Sequence, residues 1–181
     1  MLLKRFVVDA FRKRYTAGSV LSTLVEFCIR FLQFVFGIAV IGLYAQDLVR
    51  TQKAGDGMDP EWLYATITGT IAAFSSLVYI VLPCIVGRPV VLLPFLHLPA
   101  LVHDSILCIL WLTLFGIFAK KYITADEINN DVTRMKNAVW IDLINLSFWI
   151  ITAVWCGLRW NKSRKGANRD EKIQEQSVGE V

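Results

Sequence analysis

Four apolar stretches, each long enough to cross a lipid bilayer as a helix, are the feature that most constrains this chain. They cover residues 22–45, 62–85, 99–119 and 138–158. A transmembrane helix needs about 20 mostly apolar residues, and every backbone polar group inside lipid must be paired within the protein. The sequence therefore predicts an all-α fold, a transmembrane four-helix bundle, and leaves no room in 181 residues for a separate soluble domain.

The lysine and arginine residues outside these stretches predict the orientation of the chain. Twelve of them lie in the N-terminal segment, the second loop and the C-terminal segment, against six in the first and third loops. Because the side richer in these residues faces the cytoplasm, we predict that both termini are cytoplasmic. The net charge of +4 is concentrated at the chain ends, which favours the anionic inner leaflet rather than nucleic acid as partner.

The segments between and beyond the spans are predicted from their composition. Residues 1–20 are basic and amphipathic, which is typical either of an interfacial helix or of a solvated leader that only sets orientation. The polar residues 46–61 and 120–137 are expected to be loops. Residues 90–98 precede the third span, whose regular helix is expected to start near Pro99, and are expected to be re-entrant or interfacial. Residues 161–181 are expected to be a disordered tail.

The cysteines give no sign of a disulfide framework, because none lies in a segment predicted to be extracellular. Three lie near the cytoplasmic ends of spans and are candidates for S-palmitoylation, with small apolar filler as the alternative: Cys28, Cys84 and Cys156. No motif for a metal, a cofactor or a catalytic nucleophile occurs, so we expect no cofactor and no enzymatic activity.

Charged residues inside the spans are the strongest pointer to helix pairing or function, because each is costly to place in lipid. Glu26 and Arg30 are four residues apart in the favourable order for an ion pair within a helix. Counted from the inner face, Arg30 and Asp104 lie about 12 Å and 8 Å deep. We therefore predict a salt bridge between Arg30 and Asp104, with Glu26 or His103 nearby. The alternative is a proton or cation relay through His97, His103 and Asp104.

Asp142 and Asn145 lie on one face of the fourth span. Hydrogen bonding to another helix is the expected role of both residues. The predicted partners of this pair are Thr66, Thr68 or Lys120.

Small residues within the spans predict where two helices approach closely. Ala65, Gly69 and Ala73 follow one another at four-residue spacing in the second span, and Gly37 and Gly42 lie in the first. These five positions are the predicted helix-packing sites.

Three segments resemble the MARVEL domain of fungal membrane proteins. Its first span is similar to RFLQ at 30–33 and GIAVIGLY at 37–44, and its third to HDSIL at 103–107 and LFGIF at 114–118. The start of its fourth is similar to RMKNAVWIDLIN at 134–145. The resemblance covers residues from about 25 to 160.

The resemblance implies a four-helix membrane bundle that takes part in membrane apposition, vesicle traffic or the lateral organisation of sterol-rich plasma-membrane domains. It brings no catalytic residues. The expected function is therefore non-enzymatic membrane organisation through lipid and helix contacts, with homo-oligomers or other membrane proteins as protein partners. The plasma membrane is the expected location, with endomembrane vesicles as the alternative. The alternative function is a small oligomeric transporter or channel for protons or cations.

Overall fold

The computed structural model describes residues 17–55, 59–86, 94–123 and 130–179. Four helices follow one another in this part of the chain: α1 (Ala17–Ala54), α2 (Pro60–Val86), α3 (Pro94–Tyr122) and α4 (Asn130–Gly179). No strand occurs among the described residues, so the predicted all-α four-helix bundle is confirmed. The helices contain four stretches long and apolar enough to cross a membrane: Leu21–Lys53, Pro60–Pro83, His97–Tyr122 and Asn130–Gly166.

The outer surface of the bundle is apolar around all four helices. Large apolar side chains on each helix are at least half exposed: Phe27 50%, Phe74 67%, Ile109 64% and Val154 57%. In water such a surface would drive association, whereas lipid tails solvate it. Together with the four spans, this surface identifies a multi-pass integral membrane protein.

The turn between α1 and α2 shows why the helices end where they do. Gly55 has a φ of 81°, a left-handed conformation that glycine adopts without a steric penalty, and it ends α1. The Asp59 carboxylate accepts a hydrogen bond from the Glu61 backbone N–H at 2.9 Å, and Pro60 takes the first helical position. Residues 46–54 belong to α1, so the predicted loop over 46–61 is wrong for most of its length.

The start of α3 also differs from the prediction. The helix begins at Pro94 and continues through Pro99, so the predicted helix start near Pro99 is wrong and residues 94–98 are regular helix. A proline near a helix start costs little, because the first turn has unpaired N–H groups in any case. Pro99 removes a single bond, to the carbonyl of residue 95, and neighbouring helices stabilise such a defect in a membrane. Residues 90–93 lie outside the described part of the chain.

The fourth helix is longer than predicted at both ends. It begins at Asn130, which leaves little of the predicted loop over 120–137, and it continues to Gly179. The predicted disordered tail is therefore wrong over residues 161–179. Lysine, arginine, glutamate and glutamine are good helix formers, and a helix that is already formed extends without a new nucleation step. The amphipathic N-terminal prediction for 1–20 falls mostly outside the described residues.

The four helices are arranged as two pairs. The backbones of α1 and α2 approach closely along their length, as do those of α3 and α4, whereas the two pairs meet less closely. Arg159 of α4 donates a hydrogen bond to Glu26 of α1 at 2.7 Å. The start of α1 and the cytoplasmically predicted part of α4 therefore lie at the same end of the bundle, as four crossings require.

Candidate functional site

The first pair, α1 and α2, is held together by small residues. A Cβ atom on Gly37 would lie 3.1 Å from the Cβ of Ala73, and one on Gly69 would lie 3.2 Å from the Gly37 carbonyl oxygen. Ala65 is fully buried. These four predicted packing residues therefore lie within the bundle interior, where the absence of larger side chains allows the backbones to approach. Gly42 is different, because a Cβ there would meet nothing within 4 Å, so its prediction as a packing site is wrong.

The second pair, α3 and α4, packs through large side chains. Trp111, Leu114 and Phe118 of α3 are fully buried, and so is Trp149 of α4. They belong to one buried apolar cluster to which all four helices contribute, and in it the Phe118 ring packs against Tyr44 of α1. The backbones approach closely in both pairs, but the first pair does so at small residues, whereas large side chains are buried along the second.

Arg30 of α1 and Asp104 of α3 form a buried ion pair between the two pairs of helices. The guanidinium donates two hydrogen bonds to the carboxylate, at 2.7 Å and 3.2 Å, and the side chains are 3% and 0% exposed. This is the contact that the sequence predicted from the depths of the two residues. A bidentate pair has a fixed geometry, so it sets the position of α1 relative to α3 as well as neutralising both charges.

Aromatic rings and an amide complete the surroundings of Arg30. Its guanidinium carbon lies 4.0 Å from the ring centre of Tyr79 and 5.3 Å from that of Trp149. Rings in these positions stabilise a cation that water no longer reaches. The guanidinium also donates to Gln33 at 3.1 Å, and the Gln33 amide donates to the Thr152 hydroxyl at 3.3 Å. Through Gln33, the Arg30–Asp104 ion pair is therefore linked to a hydrogen bond between α1 and α4.

His103 and Glu26, the predicted neighbours of this ion pair, have separate roles. His103 Nδ1 lies 3.4 Å from the Asp104 carboxylate, and its Nε2 lies 2.9 Å from the Ser75 hydroxyl of α2. The four-residue spacing of Glu26 and Arg30 suggested an ion pair within α1, but Glu26 does not pair with Arg30. It accepts a hydrogen bond from Arg159, which also donates to Ser22 at 2.8 Å. The better partner for Glu26 comes from α4, because Asp104 already occupies the Arg30 guanidinium.

Asp142 bonds to a residue that the sequence did not suggest. Its carboxylate accepts a hydrogen bond from the Tyr44 hydroxyl at 2.5 Å, and both side chains are fully buried. Of the predicted partners, Thr66 is wrong, because its hydroxyl donates to the carbonyl of Trp62 in its own helix. The Tyr44 ring lies 4.6 Å from that of Phe118, so this residue connects α1 to both helices of the second pair.

Tyr44→Phe tests the strength of this bond without changing the shape of the ring. Removal of the only donor that the described residues offer to Asp142 is expected to lower the free energy of unfolding by about 1.5–3 kcal/mol. The measurement is denaturant unfolding of the purified protein in mixed micelles. Tyr122→Phe removes a hydroxyl from the same aromatic cluster and is expected to change the value by less than about 0.5 kcal/mol. Equal effects of the two substitutions would contradict this role for Asp142.

Asn145, which the sequence grouped with Asp142, lies one turn further along α4 and is fully buried. Neither its amide nitrogen nor its amide oxygen has a hydrogen-bond partner among the described residues. The predicted bond from Asn145 to another helix is therefore not present.

Further polar contacts join the two pairs at the other end of the bundle. Arg134 of α4 donates to the Asp47 carboxylate at 2.7 Å and to the Leu43 carbonyl at 3.3 Å, both on α1. Lys121 of α3 donates to Glu61 of α2 at 2.8 Å, in a more exposed position.

The polar contacts described above between different helices share one property: each joins a helix of the first pair to a helix of the second. We call them the interpair bonds. Apolar packing holds each pair, and the interpair bonds reach from one end of the bundle to the other. They include Glu26–Arg159, Arg30–Asp104, Gln33–Thr152, Tyr44–Asp142, Asp47–Arg134, Ser75–His103 and Glu61–Lys121.

The remaining candidate residues are spread through the bundle. His97 is buried six residues before His103 on α3. Cys28 is exposed, whereas Cys156 is 5% exposed, so its burial argues against acylation there. The side chain of Cys84 lies outside the described residues. Among the residues that the structure describes, no group of three or more histidine, cysteine or acidic side chains is placed to hold a metal ion.

Comparison with known proteins gives no family assignment. No protein-family model matches this chain, and no curated protein is significantly similar to it.

Proposed function

We propose that this protein is a non-enzymatic membrane organiser that acts through lipid and helix contacts. The observation that supports this proposal is the direction in which the polar side chains of the bundle point. They point inward and form the interpair bonds, whereas the outer surface of the bundle is apolar. Such a bundle contacts the surrounding lipids and other membrane helices through its apolar outer surface. The resemblance to the MARVEL domain is consistent with this role, and with it we propose membership of that family.

The part of α4 that follows the predicted fourth span supports anionic lipid as one partner. Four basic side chains on this segment are exposed: Lys162, Arg164, Lys165 and Arg169. Each basic residue near an anionic leaflet contributes about 1 kcal/mol of attraction. We propose that these side chains contact the inner leaflet of the plasma membrane, with sterol and other membrane proteins, including further copies of this chain, around the apolar surface.

A small transporter of protons or cations is the second candidate. Asp142 favours it, because this fully buried carboxylate has one oxygen without a partner among the described residues. Unpaired acidic side chains inside a membrane are typical of proton and cation pathways.

A flux assay separates the two candidates. The purified protein is reconstituted into phosphatidylcholine–phosphatidylserine vesicles containing a pH-sensitive dye, and a proton or potassium gradient is imposed. If the protein is a membrane organiser, we expect the same leak as in protein-free vesicles, within a factor of about two, and no change in Asp142→Asn. Flux at least tenfold above the leak, lost in Asp142→Asn, would establish the transporter instead.

A further inference from the structure

The middle of the bundle lies between two interpair bonds, Gln33–Thr152 on one side and Tyr44–Asp142 on the other. On α4 these bonds are ten residues apart, which corresponds to about 15 Å of helix. Within this section lie Asn145 and Trp149, both fully buried. Trp111 of α3 is also fully buried and belongs to the same apolar cluster as Trp149.

Four fully buried side chains in this section have polar atoms without a hydrogen-bond partner among the described residues. Two of these atoms are acceptors, the Asp142 Oδ1 and the Asn145 Oδ1. Three are donors, the Asn145 Nδ2 and the ring Nε1 atoms of Trp111 and Trp149. Buried polar atoms are nearly always bonded to protein or to ordered water, and the need is greatest where lipid surrounds the bundle.

The contacts between helices place these four side chains at neighbouring levels. Asp142, Asn145 and Trp149 follow one another at three- and four-residue spacing, on one face of α4. The Trp149 ring lies 6.1 Å from that of His103, and Tyr44, bonded to Asp142, packs on Phe118. Trp111 lies about midway between His103 and Phe118 along α3. Asn145 lies between Trp149 and Asp142 along α4, so Trp111 and Asn145 are at a similar level.

The mixture of donors and acceptors identifies the ligand by its chemistry. A cation would bind the two oxygens and leave three N–H groups unbonded, and an anion would bind the N–H groups and be repelled by Asp142. Water both donates and accepts, and buried water typically makes about three hydrogen bonds to groups of this kind. We propose that the middle of the bundle binds ordered water through Asp142, Asn145, Trp111 and Trp149.

This water site is independent of the proposed function, because it bonds to the interior in a membrane organiser and in a transporter alike. It gives the second oxygen of Asp142 a donor that Tyr44 does not supply. It also explains the presence of Asn145 in the core, although this residue makes no interhelical bond. A leucine at this position would have no amide to leave unbonded.

Water-edited solid-state NMR of the ¹³C,¹⁵N-labelled full chain in phosphatidylcholine vesicles tests the site. Magnetisation that starts on water is expected to reach the ring N–H groups of Trp111 and Trp149 and the Asn145 amide at short mixing times. The methyl groups of Leu114 and Leu107, buried in the same cluster, serve as the dry reference. Transfer to the three N–H groups no faster than to these methyls would overturn the proposal.

Asn145→Leu provides the second measurement, since leucine has a similar size and no polar atoms. It is expected to reduce water transfer to both tryptophan rings at least twofold. Leu146→Met, a volume-conserving change at the adjacent position, is expected to leave the transfer unchanged. Full retention of transfer in Asn145→Leu would contradict the assignment of this residue to the site. If that variant does not fold, the spectra of the unaltered protein decide the question.

Discussion

Asp104→Ala is expected to destabilise the protein by about 3–5 kcal/mol, the range for removing one partner of a buried ion pair. The substitution leaves Arg30, whose side chain is 3% exposed in the unaltered protein, without its counter-ion. Tyr79 and Trp149 contact this cation but carry no charge to neutralise it. The measurement is the free energy of unfolding of the purified protein in mixed micelles, and a loss of this size would remove a large part of the stability of a small domain.

Glu61→Ala is the matched control, because it breaks another ion pair between the same two pairs of helices. Glu61 and Lys121 are 2.8 Å apart, but their side chains are 40% and 44% exposed. Water and headgroups screen such a pair, so we expect a loss of at most about 1 kcal/mol. A loss for Asp104→Ala that does not exceed the loss for Glu61→Ala would show that the buried ion pair contributes little to the assembly of the bundle.

Gly37→Val is expected to have the second large effect, through the packing of α1 on α2. The added Cβ would lie 3.1 Å from the Cβ and the backbone nitrogen of Ala73, and the methyl groups would come closer still. Backbone atoms cannot rotate away as a side chain can, so the two helices must separate. The expected loss is about 1–3 kcal/mol or more in the same unfolding measurement.

Gly42→Val, on the same helix, is the control that isolates the cost of disturbing the packing of α1 on α2. A Cβ at Gly42 meets nothing within 4 Å, so the valine there changes only the intrinsic helix propensity, by a few tenths of a kcal/mol. The difference between the two variants is therefore the cost of separating α1 from α2. If Gly42→Val is as destabilising as Gly37→Val, the close approach at Ala73 is not what holds the first pair together.

The sequence predicts the number of helices and one interpair bond because both depend on position along the chain. Arg30 and Asp104 are charged, lie at similar depths and have opposite sign, so their meeting follows from the helical rise alone. Tyr44 could not be assigned to Asp142 in this way. It is one of several aromatic residues near the ends of the spans, and the rotation of each helix about its axis decides which hydroxyl points inward. That rotation is set by packing.

The residues at which the helices begin and end were also not predicted from the sequence. Apolar runs mark where lipid solvates a helix, whereas helix ends depend on capping groups such as Asp59 and Gly55, which lie well beyond the apolar residues. The same distinction explains the segment 161–179, which is too polar to be a span and yet continues α4. For the packing residues, a regular spacing correctly selected Ala65, Gly69 and Ala73, but glycine content alone could not separate Gly37 from Gly42.

Buried polar bonds hold the two helix pairs of this bundle together, and a double-mutant cycle on Arg30 and Asp104 tests this most directly. Arg30→Leu, Asp104→Leu and the double variant are unfolded under one set of conditions. We predict that each single substitution is more destabilising than the double one, because each leaves a buried charge unpaired. The coupling energy therefore exceeds either single effect, which is about 3–5 kcal/mol. Single effects that simply add up in the double variant would contradict the claim.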